Sequence, residues 1–177
     1  MMVGLLLLSV LFLLLIAVSD FRTREIPVLF LLAAFLLSAG IRYLLVGKEL
    51  FWEGPVNLVA IGLQVFVLWA WIRFGKKNTG ELFSGFGPAD VVMLIIIGVN
   101  FTLAGYLVFI SLASFLTLLV WIIVTKVRKS GEASVPFAGF LAIGLIIYQF
   151  SLLWTGAKGD WVDQYIGKVI YGLSGSF

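Results

Sequence analysis

The sequence predicts an all-α, polytopic membrane protein with about six transmembrane helices, built as a single integral membrane domain over residues 1–177. Three observations carry that expectation. Hydrophobic residues make up 62% of the chain and charged residues 12%, with a mean hydropathy of +1.16. A soluble domain of this size has no means of covering so much apolar surface. The apolar residues fall into runs about long enough to span a bilayer, separated by short polar stretches. Of the 12 Lys and Arg, 8 lie in three of those stretches: Arg22 and Arg24; Arg73, Lys76 and Lys77; Lys126, Arg128 and Lys129. That asymmetry orients a membrane protein with those loops in the cytoplasm.

Taken in order, Val3 to Ser19 is a first span. Ala17-Val18-Ser19 has the small residues of a signal-peptidase site, but no basic residue precedes the run, so it reads as a retained helix with its N-terminus outside. Asp20 to Pro27 is an inner loop, and Pro27 opens the second span, Val28 to Val46. Arg42, near its outer end, is expected to snorkel to the headgroups. Gly47 to Gly54 reads as an outer loop, and the third span as about Pro55 to Ile72, anchored by Trp69 and Trp71. Arg73 to Asp90 is the longest inner loop. From Val91 to Thr125 there is no charge, and one helix of that length would overshoot the bilayer by roughly 20 Å. Two spans with a tight turn within Gly98–Gly105, the first of them short, satisfy both length and charge. Pro136 opens the sixth span, ending near Trp154. The tail from Thr155 lies outside, with a short interfacial helix around Trp161 to Ile170, capped by Asp160.

Two absences prune the chemistry. With Cys 0 and His 0, thiol catalysis, disulfides, Ser–His catalysis and Cys- or His-ligated zinc are excluded. No basic patch interleaved with exposed aromatics points to nucleic acid. Aspartyl chemistry and a Ser–Lys pair survive. Asp90 follows Gly85-Phe86-Gly87-Pro88-Ala89 and enters the apolar run Val91 to Ile97, where Pro88 suits the first helical turn and Asp90 the positive end of the dipole. Asp20 closes the first apolar run. Each alone reads as a helix-terminating acid, but two acids at membrane edges on the same face suggest a site. Glu25 and Glu81 read as solvated loop charges. Glu49, Glu53, Asp160 and Asp163 lie on the opposite face as bystanders, and nothing in the spacing favours Ser19 or Ser84 with Lys76.

Asp20 with Arg24-Glu25-Ile26-Pro27, then Gly85-Phe86-Gly87-Pro88-Ala89-Asp90, then Val135-Pro136-Phe137, each at the edge of a span, resembles the type IV prepilin peptidases, a group that includes the archaeal preflagellin (archaellin) peptidases. The resemblance covers the membrane region from the first span to the sixth. It implies a GxGD-type intramembrane aspartyl protease architecture. Asp20 and Asp90 would be the catalytic pair, and Gly85, Gly87, Pro88, Pro27 and Pro136 would shape the site. The usual pattern puts Asp directly after the second Gly, whereas Pro88-Ala89 intervene here, closer to the Gly-Gly-Ala-Asp form of archaeal relatives. The four-cysteine domain of many bacterial members is missing, which favours a minimal peptidase without N-methyltransferase activity.

The implied partners are a prepilin-like or archaellin precursor, the lipid bilayer and, as an option, a second copy of the chain. No cofactor, metal or nucleic acid is expected. Two neighbouring carboxylates cannot both ionise cheaply, so they titrate as a pair, one activating water as base while the other donates a proton to the scissile carbonyl. The site is expected to be a groove at the cytoplasmic face. Two readings compete: a small ion-coupled transporter with Asp20 and Asp90 as a cation or proton site, and a membrane scaffold whose acids only end helices. Against the transporter stand the position of both acids at one edge and the lack of an internal repeat.

Overall fold

The computed structural model describes residues 2–75, 87–128 and 135–154. They form six α-helices, α1 (Met2–Arg22), α2 (Val28–Val46), α3 (Leu50–Gly75), α4 (Pro88–Asn100), α5 (Leu103–Arg128) and α6 (Phe137–Trp154), with one 3-10 turn at Gly47–Glu49. No strand occurs among the described residues. Among the described residues, four stretches are long and apolar enough to cross a membrane: Met2–Arg22, Val28–Ala70, Leu103–Val124 and Phe137–Trp154. The second is divided at Gly47, whose φ of 62° is open to glycine at little cost and which caps α2 by donating to the Tyr43 carbonyl. α4, with 13 residues, is about 20 Å long and falls short of a full crossing.

The helices alternate in direction, so their ends gather at two levels. The 23–27 turn and the starts of α2, α4 and α6 lie at one end, and the 47–49 turn lies at the other, about 28 Å away along α2. α1 and α6 pack antiparallel: Gly139 meets Asp20, and ten residues further on, the buried Gln149 side chain donates to Ser9 Oγ at 2.9 Å. α4 lies between α2 and α3. Gly98 allows the close approach to α3, because a Cβ there would stand 2.7 Å from Ile61 Cδ1. The buried core is apolar side chains from α1, α2, α4 and α6, among them Leu13, Ile16, Ile41, Met93, Ile97, Leu141 and Leu145. The outer surface carries exposed Leu, Val, Ile and Phe on every side, including Leu11, Leu32, Val59 and Phe115, as suits a bundle solvated by lipid tails.

The expected turn between Gly98 and Gly105 falls at Phe101–Thr102. Phe101 is extended there, with φ −130° and ψ 158°. Asn57 on α3 donates to the carbonyls of Gly98 and Phe101, both at 2.7 Å, taking up orphan acceptors at the end of α4. Thr102 then receives the Gly105 N–H on its hydroxyl at 3.3 Å and starts α5.

Other expectations are corrected. α1 runs on to Arg22, so Asp20 lies in its last turn and not in a loop. Residues 47–54 are helical rather than an outer loop, and α3 begins at Leu50 with Pro55 inside it. Arg42 does not snorkel either. Its side chain is 1% exposed and forms an ion pair at 2.6 Å with Glu53, which stands in the first turn of α3. Glu53 is therefore a structural partner and no bystander. The Asp160-capped tail helix, Asp163, Glu81, Lys76 and Ser84 lie outside the described residues.

Truncating one member of a largely buried ion pair costs about 3 kcal/mol, discounted here because Glu53 keeps some contact with solvent. Glu53→Ala should therefore lower thermal stability in detergent clearly, and Arg42→Met with Glu53→Leu should lose less than the single change. Equal melting of wild type and Glu53→Ala would show that the pair contributes nothing.

Candidate active site

Asp20 and Asp90 arrive from different helices at the same end of the bundle, and each is only 8% exposed. α1 delivers Asp20 because its apolar face, Leu6, Leu13, Ile16 and Ala17, is buried along the whole helix. The helix ends just after Asp20, at Arg22, where Thr23 closes on Ser19 through both its N–H (2.8 Å) and its hydroxyl (2.9 Å). α4 delivers Asp90 as the third residue of the helix. Gly87 precedes it with φ −83° and ψ 164°, and Pro88 takes the position where a missing N–H costs nothing. The Asp90 carboxylate turns back to accept the Gly87 N–H at 2.7 Å, the carboxylate half of a capping box.

The two carboxylates are close enough to repel one another, and the Arg24 guanidinium acts on both. Neither has an ion-pair partner among the described residues; their polar partners are backbone amides. The Gly139 N–H donates to Asp20 Oδ2 at 2.7 Å in a buried contact, and the Ala138 N–H faces the Asp90 carboxylate. Both amides belong to the first turn of α6. Arg24 has a left-handed backbone, φ 59°, in a turn where the Thr23 hydroxyl also receives the Glu25 N–H at 3.4 Å. Its guanidinium lies 5.8 Å from the centre of the Trp121 ring on α5, within cation–π range.

Of the other site-shaping residues expected, Pro27 is exposed before α2, Pro88 is exposed at the start of α4, and Pro136 is buried before α6. Gly85 lies outside the described residues. Gly87 acts through its N–H and not through glycine's conformational freedom, since its dihedrals suit any residue. The carboxylates are buried under the helix ends rather than set in an open groove. Sequence reasoning missed Ala138 and Gly139. The available signal was a helix opened by Pro136, with no acceptor side chain, yet carrying a glycine in its first turn. Between α3, α4, α5 and α6 is a cavity of about 350 Å³ lined by Gln64, Leu94, Ser111, Ser114 and Phe137 among others, and neither aspartate lines it. Leu94 lies one turn after Asp90 on the same face, and Phe137 directly precedes the two amides.

A Cβ at Gly87 would meet nothing closer than Asp90 Oδ2 at 3.7 Å. Serine at this helix-capping position should therefore be neutral or stabilising by about 0.3 kcal/mol, read as an unchanged or slightly raised melting temperature of Gly87→Ser. A marked drop would mean that the backbone there is not the one described.

A scan against protein-family models matches the type IV leader peptidase family over residues 7–122, a segment that holds both aspartates and more than half of the chain. Searches of curated proteins and of solved structures returned no match. The matched segment runs from the first helix, through both buried carboxylates, into the fifth. On that match, this chain belongs to the type IV leader peptidase family.

Proposed function

We propose that the chain is an aspartyl endopeptidase of six transmembrane helices, which removes the N-terminal leader from type IV pilin-like or archaellin precursors at the cytoplasmic face of the cell membrane. The peptidase class follows from the family. The aspartyl mechanism rests on one observation: within the matched segment, two carboxylates from separate helices meet in a buried site where their partners are neutral amides. Neutral donors leave the pair free to exchange protons, which a guanidinium ion pair at contact distance would oppose.

In this mechanism one carboxylate takes a proton from water as the water oxygen attacks the scissile carbonyl. The other, protonated, donates to the carbonyl oxygen. Collapse of the tetrahedral intermediate breaks the C–N bond, a proton passes to the leaving nitrogen, and the pair returns to its starting state. The leader leaves with a new carboxylate and the mature protein with a new amine. The cavity reached by Leu94 and Phe137, lined by uncharged side chains, offers room for apolar residues of the precursor. The concentration of Lys and Arg in the stretches at the aspartate end supports the cytoplasmic orientation.

Asp20→Asn and Asp90→Asn nearly preserve shape but cannot supply the titrating pair. Each should reduce precursor cleavage by at least about 100-fold, and the double variant should be little worse than either, since groups acting as a unit are not additive. Glu49→Gln, at the opposite end of the bundle, should cleave normally. Near wild-type cleavage by a correctly inserted Asp90→Asn protein would refute the aspartyl mechanism and restore the Ser–Lys alternative. For orientation, cysteines at Arg22 and Lys48 should react with an impermeant reagent from opposite sides, the first from the cytoplasm. Labelling of both from one side would overturn the arrangement.

A further inference from the structure

A helix leaves its first amides without intrahelical acceptors, and a Ser, Thr, Asp or Asn just before it usually supplies one. α6 lacks that device, because Pro136 stands there and has no acceptor side chain. The destination of each amide in the first turn is nevertheless clear. Phe137 donates to the Val135 carbonyl at 2.8 Å and Phe140 to the Pro136 carbonyl at 3.2 Å. Gly139 donates to Asp20 at 2.7 Å, and Ala138 faces Asp90. The two amides left over by the helix are thus directed at the two aspartates, one each.

We propose that the first turn of α6 is the positioning element of the aspartate pair, with Gly139 as its positioning residue. Successive amides of a helix are offset by about 1.5 Å along the axis, so a single peptide step of α6 sets the two carboxylates side by side. In return, Asp20 and Asp90 cap α6 from other helices. A side chain at Gly139 would press on this contact. A Cβ there would stand 3.1 Å from Asp20 Oδ2 and 3.0 Å from Phe21 Cε2. Phe21, whose ring meets Phe140 edge-on at 5.1 Å, is exposed on its outer side and can give way, so the Asp20 carboxylate is the neighbour that a side chain here would displace. Ala138 and Gly139 lie outside the 7–122 segment that carries the family match. The catalytic part of this inference rests on the aspartyl reading above, whereas the capping part does not.

Two measurements on the full chain test it. Amide hydrogen exchange at residues 137–140 should be slow in wild type and at least 10-fold faster in both Asp20→Ala and Asp90→Ala, with the rest of the bundle still protected. Unchanged exchange there would overturn the capping, whatever the protein cleaves. In precursor cleavage, Gly139→Ala should lower kcat at least 10-fold with KM within twofold. Adding Phe21→Leu, which makes room beside the new methyl, should recover thermal stability but not kcat. Wild-type kcat in Gly139→Ala, or recovery of kcat by Phe21→Leu, would remove the positioning role while leaving the aspartyl reading intact, provided Asp20→Asn is inactive. If wild type cleaves no precursor, the aspartyl reading falls and with it the catalytic part of the inference, and the exchange result alone decides the capping.

Discussion

The contact between the α6 amides and the two aspartates is the constraint on which the rest of the structure depends. Each side of it would be costly alone. A buried amide without an acceptor loses about 1–3 kcal/mol, and a buried carboxylate without donors loses more. Here the start of α6 is buried beside Pro136, and Asp20 and Asp90 are each only 8% exposed. Brought together, the two problems offset one another. The solution is also geometrically exacting, because α1, α4 and α6 must all end or begin at one level.

Much of the remaining polar structure serves that alignment. Ser9 and Gln149 lock α1 to α6 about three helical turns deeper than Asp20 and Gly139, in the same antiparallel register. On the far side of α4, Asn57 takes the loose carbonyls of Gly98 and Phe101, which eases the end of α4 after 13 residues in an apolar setting. At the other end of the bundle, Arg42 and Glu53 tie α2 to the start of α3. Between α5 and α3, Tyr106 donates to Gln64; the rest of the core is largely apolar and the outer surface is left to lipid.

What the sequence revealed follows the same division. Asp20 and Asp90 were legible because a charge at the edge of an apolar run stands out against its neighbours. The uncharged stretch from Val91 to Thr125 betrayed its own break, since it is too long for one helix, and the break lies at Phe101–Thr102. Pro27, Pro88 and Pro136 each lie within one residue of a helix start. Contacts that depend on distant chain segments were not legible. Gly139 meets Asp20 across 119 positions, and no local pattern distinguishes it from a glycine that merely eases helix packing. Arg42 looked free to snorkel because its partner Glu53 appeared to lie in a loop. Once 47–54 is helical, Glu53 comes within 2.6 Å of it.

The choice of backbone donors rather than cationic side chains bears on how such a pair can work. A guanidinium at contact distance would hold a carboxylate in its charged form and occupy the oxygens that, on the proposed aspartyl mechanism, reach water and substrate. A peptide N–H carries no net charge, does not titrate, and uses one lone pair of one oxygen. The Asp20 and Gly139 contact involves Oδ2 only, and the Asp90 and Gly87 contact likewise. Arg24, the cation that acts on both carboxylates, is retained at a distance, on a left-handed turn beside the Trp121 ring. A strained backbone at a non-glycine residue persists where its surroundings enforce it, and here Thr23 does so from within the same turn. Positioning by neutral amides and field from a remote cation are thereby separated, and the exchange of protons within the pair stays open.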